Sequence, residues 1–554
     1  MRVIERSRGR AAWAGALAAS AALGVAEAVA EGLGSQGPVV TVAQAAIDYS
    51  PAPLREWAIR TLGESDKTVL VSGVSACVLL ASAAIGATGV RRPRLAIALT
   101  AFVGLIGVLV GITGRRIAGS LWSDVAPALA ATLVAVVALH ALLAALPTAV
   151  VGARVAGGEP DGPERPRAVP GAGVDVIERR DFAAPGIAGF DRRRFLATAT
   201  AVGAVGLGGT FIAYGRSHRP LTTDIALPRP ADPAPALPAG VELDAVGLSP
   251  FRTPNNAFYR VDTAAQLPRV DLASWRLRVH GMVDRELELT FEEVLDRRLI
   301  ERDITLTCVS NEVGGPYVGN ARWLGAPLAA ILAEAGVQPG ADALKSTSVD
   351  GFTVGTPLAA ITDGRDAMLA IAMNGEPLPA AHGFPARLVV PGLYGYVSAT
   401  KWVTDLEVTR FADFTAYWTS RGWSEQAPVK TQARIDHPRQ GAFLSLGHVT
   451  VAGVAWAQHT GISRVQLRID DGPWMDTALA ADGGIDMWRQ WQWQWDAPLG
   501  EHDIQVRATD GNGVVQTQDV RPTVPDGASG WHTVKVFAFD GVPTGPLPSG
   551  TATT

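Results

Sequence analysis

Long apolar runs dominate the first 214 residues of the chain. A helix that crosses a bilayer core of about 30 Å needs roughly 20 apolar residues. Five stretches meet or approach that length with their charges confined to the ends, which predicts five transmembrane helices: 11–33, 69–90, 95–113, 125–150 and 195–214. We therefore expect a four-span transmembrane region at 1–150, a cytoplasmic linker rich in Gly and Pro at 151–194, and a fifth span at 195–214.

Beyond residue 214 the pattern changes to short segments that are typical of a water-soluble protein. A Pro- and Ala-rich stretch at 215–240 predicts a semi-rigid spacer, because proline sustains neither helix nor sheet hydrogen bonding. Alternation in Trp275–Val279 predicts a strand, and Leu324–Ala335 has helical spacing with its apolar positions on one face. Mixed short elements favour an α+β domain, which we place at 241–428.

The region 429–540 has an all-β pattern. Short apolar alternations separated by Asp-Gly turns predict a β-sandwich of the Ig-like type. Trp491, Trp493 and Trp495 alternate in one such segment, which is more typical of a packed sheet face than of a ligand platform. We expect residues 541–554 to form a disordered tail.

Basic residues set the expected orientation of the spans, because Lys and Arg close to a span stay on the cytoplasmic side. Arginines cluster before the first span, after the second and in the linker, and only Arg115 and Arg116 break the pattern. Five crossings then place the residues after 216 on the extracytoplasmic side of the cell membrane. Arg192–Leu196 reads RRRFL, which resembles the core of a twin-arginine export signal. A simple positive-inside anchor is the alternative, and with no convincing cleavage site we expect a retained anchor.

Charge and cysteine counts narrow the function classes. The formal net charge is −5 over 554 residues, which argues against a nucleic-acid partner, since phosphate-binding surfaces concentrate Lys and Arg. The two cysteines are Cys77 in an apolar run and Cys308 in the water-soluble part. No disulfide can therefore join two regions of the water-soluble part, and the sequence has no C-x-x-C-H haem motif.

Cys308 lies in a segment that suits ligand binding. Residues 305–315 read TLTCVSNEVGG, so a single thiol follows a β-like run and precedes small and polar residues. A buried core cysteine is the alternative interpretation. However, an exported thiol without a disulfide partner is at risk of oxidation, and Gly-Gly permits close backbone approach to a ligand. Thiolate is also the donor that thiophilic metals prefer.

Four sequence blocks resemble, in order, those of the sulfite oxidase family of molybdopterin-dependent oxidoreductases, in its bacterial membrane-bound form. They are TPNNAFYR at 253–260, CVSN at 308–311 with GG at 314–315 and ARWLG at 321–325, MNGEPL at 373–378 with HGFPAR at 382–387, and PG at 391–392 with YG and SATKW at 394–402. Four blocks in order over about 150 residues are hard to obtain by chance. The likeness extends into the β-sandwich, which resembles the family's dimerisation domain, but it does not explain the first four spans.

The resemblance implies a Mo-molybdopterin cofactor, with Cys308 as the protein ligand to molybdenum. Arg260 is expected near the metal, where its charge would attract an oxyanion substrate, so Cys308 and Arg260 are the expected catalytic residues. His382, Arg387 and Lys401 are expected at the phosphate and pterin edges, because phosphate prefers guanidinium or ammonium donors. The full expected cofactor-binding set is Asn255, Asn256, Tyr259, Arg260, Cys308, Thr347, His382, Arg387, Ser398, Thr400 and Lys401.

The implied activity is oxygen-atom transfer to or from a small substrate such as sulfite or a sulfoxide. Sulfite-oxidising members carry a tyrosine in an L-A-Y-x-M-N-G segment, whereas this chain has Ile371 there, which weakens the case for sulfite. The expected partners are the substrate, the membrane, a separate electron carrier such as a cytochrome or a quinone, and a second copy of the chain in a homodimer. The alternative is a non-catalytic, membrane-anchored extracellular β-sandwich that serves as a binding module.

Overall fold

A computed structural model describes residues 2–51, 65–115, 120–146, 192–217 and 225–540, together with a few positions between 54 and 62. The chain divides into two compact units, Met1–Arg219 and Pro220–Thr554. Each unit has a buried apolar core of its own. Most of the expected linker, part of the expected spacer and the expected tail lie outside the described residues.

The first unit is built from apolar helices. They are α1 (Arg2–Leu33), α2 (Pro38–Tyr49), α3 (Asp66–Thr88), α4 (Pro93–Thr113), α5 (Leu121–Ala144) and α6 (Arg192–Ser217). Within the described residues, every one of them except α2 is long and apolar enough to cross a membrane, which confirms the five predicted apolar helices. The sequence pattern did not predict α2, whose 12 residues are too few for a span.

Helix α1 packs against α3, α5 and α6. Glycines allow two of these backbones to approach closely: a Cβ on Gly15 would overlap the Ser82 carbonyl of α3, and a Cβ on Gly24 would overlap the Gly206 carbonyl of α6. Small residues in this role are typical of helix pairs in membranes. The outer faces carry exposed large apolar side chains, a pattern that suits lipid better than water: Phe102, Leu133 and Phe211 are examples.

Arg115, which breaks the positive-inside pattern, has a counter-charge. Its Nε and Nη2 donate to the two carboxylate oxygens of Asp48, each at 3.0 Å. Both side chains are 12% exposed. Asp48 lies in the last turn of α2, so this unpredicted helix supplies the charge that neutralises the arginine. Arg116 lies outside the described residues.

The second unit opens with an α+β region of two sheets. Its strands are β1 (Arg276–Gly281), β2 (Leu287–Thr290), β3 (Ile300–Thr307), β4 (Val318–Pro327), β5 (Ala343–Ser348), β6 (Thr353–Pro357), β7 (Met368–Met373), β8 (Glu376–Pro377), β9 (Arg387–Val389) and β10 (Val403–Thr409). One sheet has the order β2-β1-β10-β5-β6, and the other has the order β3-β4-β7-β8 with β9 on β7. The helices are α7 (Phe291–Leu295), α8 (Leu328–Ala335), α9 (Ala359–Thr362) and α10 (Gly395–Ser398).

Helix α8 corrects one boundary. The prediction of a helix over Leu324–Ala335 is wrong for its first four residues, which complete β4 and pair with β7. Pro327 is the N-cap of α8, and proline cannot continue the sheet hydrogen bonding. Within α8 the predicted apolar face is confirmed, since Leu328, Ile331 and Leu332 are buried. The strand predicted near Trp275 is confirmed as β1.

The C-terminal region of this unit is rich in β-structure. Its strands are β11 (Gln432–His437), β12 (Ala442–Ser445), β13 (Gly447–Trp456), β14 (Ile462–Ile469), β15 (Met475–Asp476), β16 (Ala478–Leu479), β17 (Arg489–Ala497), β18 (Gly500–Asp510) and β19 (His532–Phe539). They form two sheets, β11-β13-β17-β16 and β12-β19-β18-β14-β15. Residues from both sheets share one core, which contains Trp491 and Trp495, with Trp493 packed against it. The alternating tryptophans thus form a packed sheet face, as predicted.

The described part of the Pro-rich stretch, 225–240, packs against this unit instead of standing free as a spacer. Asp232 forms a β-bridge with Ile300 at the start of β3. The Asp232 carboxylate accepts a hydrogen bond from Arg302 Nη2 at 2.7 Å. Further along, the Phe251 carbonyl accepts a hydrogen bond from Trp488 Nε1 at 2.9 Å. The segment that precedes β1 therefore contacts both the α+β region and the C-terminal sheets.

Candidate active site

Cys308 directly follows β3 and is buried. Its backbone N–H donates to the Tyr317 carbonyl at 2.9 Å, and its own carbonyl accepts from Asn311 N at 3.0 Å. Burial raises the pKa of the Cys308 thiol, while hydrogen bonds from the Ser310 N–H and hydroxyl and the charge of Lys401 act in the opposite direction. These groups favour the thiolate, so a bound cation would tip the balance towards the form that ligates metals.

The C-terminal sheets hold the strand that leads to this thiol. The Thr305 N–H donates to the Asp486 carbonyl at 2.9 Å, and the Trp488 N–H donates to Thr305 Oγ1 at 2.8 Å. Gln458 Nε2 donates to Thr307 Oγ1 at 2.8 Å, one residue before the thiol. The position of the thiol therefore depends on both regions of the second unit.

The Gly-Gly pair after the thiol has a different role from the one expected. Gly314 has φ +77°, and a Cβ there would overlap the ring of His532 from β19. Next to it, Arg434 Nη1 of β11 donates to the Gly315 carbonyl at 3.0 Å. The close approach that these glycines permit is thus made by the C-terminal sheets. Burial, with Arg434 adding to it, lowers the pKa of His532 to about 4.

A cavity of about 870 Å³, its open mouth included, lies beside the thiol. Some of the residues expected from the sequence line it: Tyr259, Cys308, His382, Arg387 and Lys401.

Arg387 is a buried cation in this lining, with 6% exposure. Its hydrogen bonds go to backbone carbonyls, including those of His382 at 3.1 Å and Ala399 at 3.4 Å, and its guanidinium lies 5.1 Å from the Trp323 ring centroid. Within the described residues it forms no ion pair with a carboxylate. Burial lowers the pKa of Arg387 to about 10. A buried guanidinium without a counter-charge is costly, so the cavity fits an anionic ligand.

Lys401 and His382 lie at the same cavity. Lys401 Nζ donates to Asp262 Oδ2 at 2.8 Å. His382 Nε2 lies 2.8 Å from the Asn255 carbonyl, so this nitrogen carries the proton and donates. Burial lowers the pKa of His382 to about 4, which makes the ring neutral at pH 7 and leaves Nδ1 free to accept a hydrogen bond.

The other expected residues do not line the cavity: Asn255, Asn256, Arg260, Thr347, Ser398 and Thr400. Three of them are tied into the fold around it. Asn255 accepts from Asn374 Nδ2 at 2.8 Å, the Ser398 hydroxyl donates to backbone carbonyls, and the Thr400 hydroxyl bonds that of Ser346 at 2.6 Å. Arg260 Nε pairs with Asp262 at 2.8 Å, and Asn256 is exposed.

Strand β5 places Ser348, and not Thr347, at the cavity. Side chains alternate between the faces of a strand, so Ser346 and Ser348 are buried while Thr347 lies on the opposite face. Ser348 lines the cavity, and its buried Oγ has no hydrogen-bond partner in the described part of the chain. The alternation of Leu344, Ser346 and Ser348 with Lys345 and Thr347 is the sequence signal that could have identified it.

Further lining residues lie outside the motif blocks, and no sequence signal pointed to them. Among them are the acids Asp262 and Asp350 and the aromatic residues Phe352, Trp418 and Trp423, whereas Tyr396, which also lines the cavity, lies within the 394–402 block.

Comparisons with known proteins agree with the residues at this cavity. Residues 264–418 match the family described as the oxidoreductase molybdopterin binding domain. The mitochondrial sulfite oxidase of Macaca fascicularis is 30% identical over 345 residues, which are 52% of this chain and 62% of that protein. The sulfite oxidase of Gallus gallus is 30% identical over 323 residues, which are 49% of this chain and 69% of that protein.

A solved structure, that of the sulfane dehydrogenase SoxCD from Paracoccus pantotrophus, matches with a TM-score of 0.45 and 25% identity. The match covers 51% of this chain and 81% of the SoxCD chain. The chain thus spans about six tenths of the length of the first mammalian relative. Its likeness to the Gallus gallus protein extends over more than two thirds of that protein. By this measure, and by the family match at the cavity, the chain belongs to the sulfite oxidase family of molybdopterin-binding oxidoreductases.

Proposed function

We propose that this chain is a membrane-anchored, molybdopterin-dependent oxidoreductase that transfers an oxygen atom to or from a small substrate such as sulfite or a sulfoxide. The observation that carries the proposal is the buried Arg387, which lacks a carboxylate partner among the described residues and shares a cavity with the thiol of Cys308. When bound, the molybdenum cofactor supplies two-electron redox chemistry with oxygen-atom transfer.

The residues at the cavity suit this cofactor. Cys308 is the proposed protein ligand to molybdenum, and the guanidinium of Arg387 and the ammonium of Lys401 are the proposed phosphate donors. His382 Nδ1 is available to accept a hydrogen bond, and the unpartnered hydroxyl of Ser348 can donate one or accept one.

The expected residues that do not line the cavity take a different proposed role. Asn255, Ser398 and Thr400 are proposed as positioning residues, because their hydrogen bonds fix the segments that carry His382 and Lys401. Asn256, Arg260 and Thr347 receive no role from their contacts.

The length and apolar composition of five helices of the first unit support a multi-pass position in the cell membrane. The arginine pattern of the sequence is the reason to propose that the second unit lies on the extracytoplasmic side. The close packing of α6 on α1 supports a retained fifth span. Because the sequence has no C-x-x-C-H motif, the proposed electron partner is a separate cytochrome or quinone. An Ig-like fold of the C-terminal sheets and a homodimer are proposed on the family resemblance.

Metal and pterin analysis of the purified full chain tests this function. Wild-type protein from a host that makes the cofactor is expected to contain molybdenum and pterin. Cys308→Ser is expected to lose activity and the molybdenum–thiolate spectroscopic signal, because a hydroxyl is a poor substitute for a soft thiolate ligand. Cys77→Ser makes the same chemical change at an exposed position on α3 and is expected to change neither.

A wild-type protein that contains no molybdenum would refute the proposed function. That result would favour the non-catalytic binding module.

A further inference from the structure

A second cavity lies inside the first unit, among its apolar helices. It measures about 870 Å³, its opening included, and side chains from α1, α2, α3, α4 and α5 line it. One lining residue from each helix is, in that order, Ala22, Val39, Val78, Gly107 and Ala135. Helix α3 borders the cavity from Val74 to Ile85, which is about 16 Å along the helix axis at about 1.5 Å per residue. The cavity therefore extends along the helices.

The cavity is open to a ligand that comes from the membrane. Ile106 lines it and is 44% exposed on the outer face of α4, where the proposed surroundings are lipid. Charged groups are costly at that depth. A ligand that enters there is therefore uncharged and largely apolar.

Three hydroxyl groups interrupt the apolar lining, those of Ser82, Thr100 and Thr132. The two threonines donate within their own helices, to the Ala96 carbonyl at 2.9 Å and to the Ala128 carbonyl at 2.7 Å. The Ser82 hydroxyl forms no hydrogen bond within the described residues. A hydroxyl in apolar surroundings is stabilised when it gains an acceptor. The cavity thus fits an apolar ligand that carries a carbonyl oxygen.

Helix α2, which supplies Val39 to the lining, is fixed at both of its ends. At its N-terminus a Cβ on Gly37 would overlap the Glu27 carboxylate of α1, so this negative charge lies where the helix dipole favours it. At its C-terminus Asp48 pairs with Arg115. The wall that α2 forms is therefore held in place, as in a preformed ligand site.

We propose that this cavity binds a lipid-soluble quinone, whose carbonyl oxygen accepts a hydrogen bond from the Ser82 hydroxyl. This inference rests on the proposed molybdenum-dependent function, which requires an electron carrier and for which a quinone is one of the two candidates. A quinone is apolar enough to enter from lipid. It also has the carbonyl acceptors that a lipid acyl chain lacks.

Calorimetric titration of the molybdenum-loaded full chain in lipid nanodiscs tests the proposal, with empty nanodiscs as the background for partitioning into lipid. The probes are dimethylnaphthoquinone and dimethylnaphthalene, which has the same two rings and methyl groups but no carbonyl oxygen. The quinone is expected to bind saturably and roughly tenfold more tightly than the hydrocarbon, because only the quinone can accept the hydrogen bond.

A variant that fills the cavity links this binding to its location. A Cβ on Gly107 would lie 3.5 Å from the Ala128 Cβ, an ordinary contact, so Gly107→Leu is expected to keep the fold, occupy the cavity and lose saturable quinone binding. Gly73→Leu is the matched control, because Gly73 of α3 has nothing within 4 Å of an added Cβ and does not line the cavity. It should bind the quinone as wild type does.

A second variant tests the hydrogen bond. Ser82→Ala is expected to reduce the tenfold preference for the quinone over the hydrocarbon to about one. Ser75→Ala is its control, since the Ser75 hydroxyl of α3 donates to the Val71 carbonyl at 2.8 Å and does not line the cavity. Its preference should stay at the wild-type value. Thermal unfolding shows whether each variant is folded.

Equal saturable affinities for the two probes would overturn the proposal and would identify the cavity as a space for acyl chains. A wild-type chain without saturable quinone binding would overturn it too, as would wild-type binding in folded Gly107→Leu. Protein without molybdenum would refute the proposed function instead. Because the cavity lies within the first unit, Cys308→Ser should bind the quinone as wild type does, so the two failures are measured separately.

Discussion

Arg387 is a residue whose burial makes sense only with a ligand. Its guanidinium is 6% exposed and bonded to backbone carbonyls, and taking a charge out of water without a counter-charge costs on the order of several kcal/mol. We therefore expect Arg387→Met to raise the unfolding free energy of the cofactor-free protein and to abolish cofactor retention. Urea unfolding of the cofactor-free protein and molybdenum analysis of the loaded protein measure these two effects.

Arg365→Met is the control for Arg387→Met. Arg365 is also largely buried, but it pairs with Asp363 at 2.6 Å and donates to the Pro391 carbonyl at 2.7 Å. Its loss removes a two-pronged ion pair and the hydrogen bond to the Pro391 carbonyl from a largely buried position, so this variant should be less stable than wild type. If Arg387→Met were destabilised to the same extent, the guanidinium would be serving the fold and not the ligand.

Strand β3, which leads to Cys308, is held by Gln458, a residue outside the motif blocks. Gln458 Nε2 bonds Thr307 Oγ1 at 2.8 Å and the Thr305 carbonyl at 3.3 Å, and losing buried hydrogen bonds of this kind costs about 1–3 kcal/mol. Gln458→Ala is therefore expected to lower the unfolding free energy by that amount. It should also speed alkylation of Cys308 in the cofactor-free protein, because the end of β3 is less firmly held.

Gln494→Ala provides the comparison for Gln458→Ala. Gln494 is exposed and bonds Thr450 across two strands of the C-terminal sheet. Both measurements should stay at wild-type values in this variant. Equal alkylation rates in Gln458→Ala and wild type would show that Gln458 does not position the thiol.

The sequence predicts elements well where side-chain periodicity is strong. The five apolar helices follow from length and composition, and β14 follows from the alternation of Val465, Leu467 and Ile469. Other features depend on contacts between distant segments. The sequence pattern predicts a helix at Leu324, but this residue pairs with Ala372 of β7. Gly314 lies against His532, which is more than 200 residues away in the sequence.

The candidate site was predictable in the same uneven way. Motif blocks identified Cys308, His382, Arg387 and Lys401, because cofactor chemistry restricts the residue types at those positions. Phe352, Trp418 and Trp423 line the cavity from positions outside the motif blocks, and tertiary folding brings them together. A single sequence carries no signal for such a surface.

The arginine pair at the start of α6, Arg192 and Arg193, separates the two hypotheses for how the second unit crosses the membrane. If the pair acts as a twin-arginine signal, Arg192→Lys combined with Arg193→Lys should leave the second unit in the cytoplasm, since the charge is kept and only the guanidinium groups are lost. A simple positive-inside anchor would tolerate the same change. Protease accessibility of the second unit in intact spheroplasts distinguishes the two outcomes, and full digestion of the double variant would exclude the twin-arginine signal.

Hydrogen bonds to β3 from the C-terminal region limit where the protein can be truncated or recombined. They come from Asp486, Trp488 and Gln458. The family match ends at residue 418, yet the strand that delivers the thiol is completed by backbone and side chains encoded well after that point. A fragment of residues 264–418 would keep most of the motif residues. It would lose the hydrogen bonds that hold the end of β3 next to Cys308. Chimeras with relatives should therefore exchange 225–540 as one block.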